Sequence, residues 1–236
     1  MSLGRFALVV SCEHASRACP PEFDTSGIDP EVFETHAAWD PIAPEVAQAV
    51  AKAFSAPLFL GRWTRLFCDL NRSPDAPDAV PGLAFGVVVP SNAALDARAR
   101  AARIEAHHAP HWNGVRNAIT AGLERAPVLH LSVHSFVESY QGRFREVDLG
   151  VLVDPVTPLE GPISKLLVER LRGERPYLVR ENEPYDGRAD GLTTGMRREF
   201  PADRYAGVEI EISQRHMSGG AAVGKVLIAA LRDLVI

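Results

Sequence analysis

The chain has 236 residues, of which 46% are hydrophobic and 23% charged, a composition typical of globular proteins rather than disordered or fibrous ones. Its formal net charge of −5 does not indicate the clustered basic surface that nucleic-acid binding requires. No apolar run approaches the roughly 20 residues of a membrane span, and we find no signal peptide. We therefore expect a soluble protein without nucleic-acid or membrane partners.

The length suits one domain, which we assign to residues 1–236. Cys12, Cys19 and Cys68 form no CxxC pair, and their number is odd. This pattern favours reduced thiols and a cytoplasmic location. The sequence does not indicate an oligomeric state.

In the first half of the chain, residues 6–10 (FALVV) are typical of a short strand buried on both faces. Residues 30–36 predict a short helix. A second helix is predicted to begin at Asp40, with proline at its first position and apolar residues spaced along one face. Residues 57–60 and 66–70 predict two further strands.

A proline-rich loop spans residues 74–90. The remaining predicted elements are a helical region at 93–125 interrupted near Pro110, strands at 128–133 and 149–153, a helix at 163–171, a short strand at 177–179, a long charged segment at 181–203 that could form a lid, a strand at 208–212 and a helix at 221–234. This alternation predicts a three-layer α/β fold, with a mainly parallel, mixed sheet and helices on both faces.

Polar side chains follow four of the predicted strands. They are Glu13 and His14; Asp69, Asn71 and Arg72; His134 and Ser135; and Glu211, Ser213 and Gln214. Because a parallel sheet brings the carboxyl ends of its strands to one edge, we expect these side chains to share a site.

His14 and His134 are candidate metal ligands, since catalytic zinc typically takes three protein ligands and a water. Asp40 is our candidate for the third. An aspartate before a proline is also typical of a helix N-cap, and a histidine at a strand end can simply bond to backbone. Glu13 is either a further ligand or a partner of a ligand.

Glu209 and Glu211 lie on the same side of a strand, because side chains alternate with a period of two. Glu211 is nearer the carboxyl end and is our candidate general base, because burial would raise its pKa to a useful value. The alternative is a pair of exposed carboxylates on an edge strand.

The arginines suggest an anionic substrate, since a guanidinium pairs with a carboxylate through two hydrogen bonds. Asn71 and Arg72 are candidates for binding one carboxylate and Arg145 for a second, while Arg65 is a candidate catalytic group. A structural ion pair between Asp69 and Arg72 is the alternative.

Two other motifs are set aside. Cys12 is a weak candidate nucleophile, because a catalytic thiol needs its base across the site from the sulfur, whereas neighbouring residues on an extended chain point apart. His107 and His111 share a helix face, but the glutamate of an HExxH motif is missing, so we expect a solvated face there.

The ordered set of motifs resembles the N-formylglutamate amidohydrolase family. The matching segments are residues 9–16 with Pro20, and residues 36–40, 65–72, 130–136, 142–152 and 208–214. The resemblance implies a zinc-exopeptidase-like fold, with the order of site residues similar to that of zinc carboxypeptidases and aspartoacylases. It also implies Zn²⁺ held by His14, Asp40 and His134, with Glu211 as general base and Asn71 and Arg72 binding the substrate carboxylate.

These features predict a zinc-dependent amidohydrolase that cleaves the N-acyl (formyl) amide of an acidic amino acid, such as N-formylglutamate. Arg65 would help the metal to stabilise the oxyanion. The alternatives are a related zinc amidase, deacylase or carboxypeptidase acting on another N-acyl amino acid or peptide, and a non-catalytic binding module that retains the fold.

Overall fold

The protein is described here from a computed structural model, which covers residues 4–174 and 177–236. The strands, in chain order, are β1 (Ala7–Cys12), β2 (Leu58–Leu60), β3 (Leu83–Ala84), β4 (Val87–Val88), β5 (Val128–Phe136), β6 (Ser139–Tyr140), β7 (Arg143–Phe144), β8 (Leu149–Leu152), β9 (Val179–Glu181) and β10 (Tyr205–Ser213). The helices are α1 (Ala43–Phe54), α2 (Pro90–Ala93), α3 (Ala97–Arg103), α4 (Ala109–Leu123), α5 (Glu160–Glu174), α6 (Leu192–Glu199) and α7 (Gly220–Leu231). Short 3-10 segments lie at Pro30–Glu34, Pro77–Ala79 and Gln214–Gly219.

Six strands form the central sheet in the order β2-β1-β5-β10-β8-β9. All neighbouring strands run parallel except β8 and β10, which are antiparallel. The predicted mainly parallel, mixed sheet is therefore confirmed. Two further pairs, β3–β4 and β6–β7, form separate short hairpins, which we call the first and the second hairpin.

Helices cover both faces of the sheet. On one face, α1, α5 and α7 pack against apolar side chains of β1, β5 and β10, among them Val10, Leu131 and Ile210. On the other face, α4 and α6 pack against a smaller cluster that includes Val9 and Tyr205. Alternate side chains of each strand thus enter different layers, which explains why β1 is buried along its whole length.

The helix that was predicted to begin at Asp40 begins instead at Ala43, after Ile42 in the left-handed region (φ 70°). Asp40 is not its cap. The Asp40 backbone N–H donates to the carbonyl of His14 (2.9 Å), and this bond holds residue 40 beside the end of β1.

The strand predicted at residues 66–70 is wrong. Residues 65–67 form a turn, in which the Phe67 N–H donates to the Thr64 carbonyl (3.0 Å). Leu66, Phe67 and Cys68 pack instead with Phe23 and other side chains in a third apolar cluster, outside the sheet. Burial of both faces made this segment resemble a strand.

The helical region at 93–125 differs from the prediction. It begins at Ala97 rather than at residue 93, and the expected interruption near Pro110 is a π-helical turn at Ile104–His108, which separates α3 from α4 and directly precedes the first turn of α4, where Pro110 lies. The long segment at 181–203 contains α6. No helix among the described residues is long and apolar enough to cross a membrane.

Candidate active site

A cavity of about 380 Å³ opens at the carboxyl ends of β1, β5 and β10. Its polar lining includes His14, His36, Asp40, Arg65, Asp69, Asn71, Arg72, Asp78, His134, Ser135, Tyr140, Tyr185, Asp186, Asp190, Glu209 and Glu211. The site at this edge of the sheet is therefore assembled from residues far apart in the sequence, which is common for sites at the carboxyl ends of strands in open α/β sheets.

His14, Asp40 and His134 form a buried cluster. The Oδ2 atom of Asp40 lies 3.3 Å from Nδ1 of His14 and 3.0 Å from Nδ1 of His134. Ligand atoms of a tetrahedral zinc site, each about 2.0–2.1 Å from the metal, are separated by about 3.3 Å. The three donor atoms converge as a metal site requires.

Each histidine of this cluster has a carboxylate behind its other ring nitrogen. Nε2 of His14 lies 2.7 Å from Oδ1 of Asp69, and Nε2 of His134 lies 2.8 Å from Oε2 of Glu13. Metal-binding histidines commonly have such a partner, which fixes the tautomer and the ring orientation. This arrangement fits Zn²⁺ better than it fits histidines bonded to backbone.

The three carboxylates stay ionised despite their burial. Burial alone would raise the pKa of Glu13, but its hydrogen bonds to His111 and His134 outweigh it and hold that pKa well below the usual value. In the same way, Arg65 and the two histidines lower the pKa of Asp40, and His14 lowers that of Asp69. Burial would lower the pKa of His134, but its bonds to Asp40 and Glu13 raise it.

Besides the two histidines, the Asp40 carboxylate contacts two further side chains. Its Oδ1 accepts a hydrogen bond from the Arg65 guanidinium and lies 3.1 Å from Nδ1 of His36. The helix-cap alternative for Asp40 is thus wrong, while the Oδ2 atom stays directed at the two candidate metal ligands.

Glu211 lies beside His134 across the β5–β10 pair. Among the described residues, its Oε2 has no hydrogen-bond partner. Burial raises the pKa of Glu211 to about 8, although His134 opposes the shift. Glu209, in contrast, accepts a hydrogen bond from the Thr193 hydroxyl. Because β10 is an interior strand, the exposed-edge alternative for both glutamates is wrong.

Asn71 and Arg72 line the same cavity. The Asn71 side-chain carbonyl accepts from the Leu192 N–H (2.8 Å), and its amide Nδ2 lies 3.4 Å from Nε2 of His134. Arg72 donates to Asp78 (2.8 Å) and to the Asp190 carbonyl (3.0 Å). The ion pair of Arg72 is therefore with Asp78 rather than with Asp69.

Arg65 lines the cavity, and its Nε–H has no partner among the described residues. Arg145 is not among the lining residues of the described chain. It donates instead to the hydroxyl of Tyr185 (3.0 Å), which does line the cavity. A role for Arg145 in binding a second carboxylate stays a prediction.

Sequence reasoning missed three polar residues around the cluster. Ser132 donates to Glu13 (2.5 Å), and strand alternation could have found it, because it lies two residues before His134. His36 contacts Asp40, as described above. The buried side chain of His111 lies 3.5 Å from Glu13, so the expected solvated face is wrong there.

Cys12 is buried, and burial raises the pKa of its thiol well above the usual value. A reactive cysteine needs the opposite shift. The thiol-nucleophile interpretation gains no support.

Comparison with known proteins gives a consistent result. Residues 6–217 match the N-formylglutamate amidohydrolase family model. Among solved structures, a gene product from Agrobacterium tumefaciens is 31% identical, with a TM-score of 0.82 over 97% of this chain and 92% of that one. An N-formylglutamate amidohydrolase from Ralstonia eutropha is 21% identical, with a TM-score of 0.71 over 97% and 93% of the two chains. No curated protein gives a significant match.

Proposed function

Since this chain belongs to the N-formylglutamate amidohydrolase family, we propose that it is a zinc-dependent enzyme that hydrolyses the N-acyl amide of an acidic amino acid, with N-formylglutamate as the reference substrate. The observation that carries the proposal is the buried His14–Asp40–His134 cluster with Glu211 beside it in one cavity. The family indicates amidohydrolase activity, whereas the metal and the substrate are the parts that need testing.

His14, Asp40 and His134 would hold the ion. When bound there, Zn²⁺ supplies a Lewis acid that polarises the amide carbonyl and lowers the pKa of water. Asp69 and Glu13 keep the two imidazole rings oriented through their remote nitrogens.

Glu211 has the properties of a general base. Its carboxyl is buried, and its Oε2 has no hydrogen-bond partner among the described residues, so this oxygen can exchange a proton with a bound molecule. It takes a proton from the attacking water and returns it to the nitrogen of the leaving amine. The C–N bond breaks, and the products are the carboxylate of the acyl group and the free amino acid.

Three other groups bind the substrate in this proposal. The unpartnered Nε–H of Arg65 donates to the oxygen of the acyl carbonyl as negative charge develops there. Asn71 and Arg72 bind the α-carboxylate. Arg145, behind Tyr185, remains the candidate for the side-chain carboxylate.

The test is a kinetic one. We expect the protein, loaded with zinc, to release glutamate from N-formylglutamate and to lose this activity in the presence of a chelator. The zinc-free protein serves as control, and readdition of the metal should restore turnover. Absence of hydrolysis for the formyl, acetyl, hexanoyl and benzoyl derivatives of glutamate and aspartate would refute the proposal and favour a non-catalytic binding module.

A further inference from the structure

Large apolar side chains exposed to solvent are concentrated at the mouth of the catalytic cavity. Within the described residues, those on the two hairpins are Leu83, Phe85, Val88, Tyr140 and Phe144. The other large apolar side chains that are exposed in the described residues are Val156, Met217 and Ile236, which lie outside the hairpins. Exposed apolar residues grouped beside a cavity indicate a binding surface rather than incidental exposure.

The two hairpins meet above the cavity. The rings of Phe85 and Tyr140 lie 6.3 Å apart, edge to face. Phe85 and the next residue, Gly86, both have positive φ (51° and 80°), the geometry of a type I′ turn. A bulky side chain is rare at positive φ, so the presence of Phe85 at this turn supports a role for its ring in binding.

Three of these side chains also line the cavity itself: Leu83, Phe85 and Tyr140. We call them the apolar roof. The cavity of about 380 Å³ that they share with Glu211 lies within the range of roughly 300–1,000 Å³ in which proteins bind drug-sized ligands. A group bound at Glu211 can therefore extend to the roof.

Phe85 places one end of the roof on the side of the site that faces the acyl group, while Tyr140, at the other end, packs 5.0 Å from the Arg145 guanidinium. The Phe85 ring packs 5.4 Å from the Arg65 guanidinium and 5.2 Å from the His36 ring. Arg65 is the group that we assign to the acyl carbonyl. Arg72, which we assign to the α-carboxylate, is bonded to Asp78 and Asp190 instead.

A formyl group has no carbon beyond its carbonyl and leaves such a surface in contact with water. From the position of the roof, we propose that it binds an apolar acyl chain or ring, so that the preferred substrates are N-acyl amino acids with acyl groups larger than formyl. This inference rests on the proposed function for the orientation of the substrate. The occupant follows from the continuity of the roof with the catalytic cavity and from the apolar character of its side chains.

Binding to the zinc-loaded Glu211→Gln variant tests the inference without turnover. Calorimetry would compare N-formyl-, N-acetyl-, N-hexanoyl- and N-benzoylglutamate. We expect the affinity to rise at least about tenfold from formyl to hexanoyl, because each methylene buried in an apolar pocket contributes. In the same background, Phe85→Ala should reduce the ratio of the hexanoyl to the formyl affinity about tenfold.

Phe144→Ala is the matched control. Phe144 lies on the second hairpin and is 65% exposed, but it is not part of the roof. We expect this variant to keep the affinity ratio. Equal affinities for all four ligands, or equal effects of Phe85→Ala and Phe144→Ala, would overturn the inference.

Turnover by the wild type separates the two proposals. If the chain hydrolyses none of the four compounds but binds them in the expected order, the proposed function fails and the roof assignment stands. If it hydrolyses N-formylglutamate best and Phe85→Ala leaves the affinity ratio unchanged, the function stands and the roof assignment fails. The chain could instead self-associate through the hairpins. If Phe85→Ala and Phe144→Ala both abolish self-association, and the four ligands bind with equal affinity, the hairpins bind a second copy of the chain and the inference is overturned.

Discussion

The floor and the apolar roof of the cavity are built in opposite ways. The floor consists of the polar side chains of the candidate metal site and its surroundings, such as His134 and Asp40, and most of them are buried and hydrogen-bonded. The roof consists of apolar side chains on two short hairpins, and Leu83 is 63% exposed. The sheet and the loops packed beside it thus hold the polar groups in fixed contacts, whereas the hairpins present the groups that contact the acyl chain in our proposal.

The difference also appears in the bonding of the two regions. Asp40 and Glu13 each contact several polar partners, so their positions are determined redundantly. Phe85 and Tyr140 are held by ring contacts on hairpins with two-residue turns. Changes in the floor should therefore affect chemistry and metal binding, and changes in the roof should affect substrate preference.

The largest effect is expected for Glu211→Gln. Removing a general base lowers turnover by about 10²–10⁴-fold, and the variant should keep its metal because Glu211 is not a ligand in this account. The measurement is kcat for N-formylglutamate beside the zinc content. Normal turnover in this variant would show that Glu211 has another role.

Arg72→Ala tests the substrate-binding part of the floor. Loss of a charged hydrogen bond to the α-carboxylate should lower kcat/KM about 100-fold, mainly through KM. Arg116→Ala, which breaks a partly exposed ion pair with Glu199 far from the cavity, is the control and should change kcat/KM little. An unchanged KM for Arg72→Ala would remove this residue from the substrate site.

Glu13→Gln tests whether the partner of a ligand histidine belongs to the metal site. Loss of such a carboxylate typically lowers metal affinity about 10–100-fold. Competition with a chromogenic chelator measures the affinity, and Glu199→Gln on the surface provides the control. If zinc affinity is the same in both variants, Glu13 only stabilises the fold.

The last prediction concerns the stability of the zinc-free protein. The pKa of Glu211 is raised to about 8 by burial, so the folded state binds a proton that the unfolded state releases near pH 4.5. The protonated carboxyl therefore contributes fully to the free energy of unfolding below about pH 4.5, and this contribution is lost as the pH rises to about 8.

Glu211→Gln removes this dependence. Between pH 5 and 8, the free energy of unfolding of the variant should rise relative to the wild type by about 1.4 kcal/mol per pH unit. Urea unfolding at several pH values measures the difference. A difference that does not change with pH would show that Glu211 titrates normally in the folded state.

The floor was largely predictable from the sequence, because strands buried on both faces and polar residues at their ends leave a clear pattern. His14 follows β1, His134 and Glu211 lie near the carboxyl ends of β5 and β10, and the sheet brings the three together. Asp40 was less clear, because the local pattern of aspartate before proline also indicates a helix cap. In the structure, the hydrogen bond from its backbone to His14 and the contacts of its carboxylate with Arg65 and His134 place it in the site.

The roof could not be predicted in the same way. Residues 83–88 lie in a proline-rich stretch, where the two-residue strands are too short for a periodic signal. His111 was misjudged because helix periodicity shows which residues share a face but not what lies opposite that face. Its partner, Glu13, is 98 residues away in the sequence.

The most direct test of the central claim is the zinc content of three purified proteins, measured by elemental analysis after incubation with zinc and dialysis. They are the wild type, Glu211→Gln and His14→Ala. A metal site formed by His14, Asp40 and His134 predicts one ion per chain in the wild type and in Glu211→Gln, and loss of the ion in His14→Ala. No bound zinc in the wild type, or equal zinc in all three proteins, would contradict it.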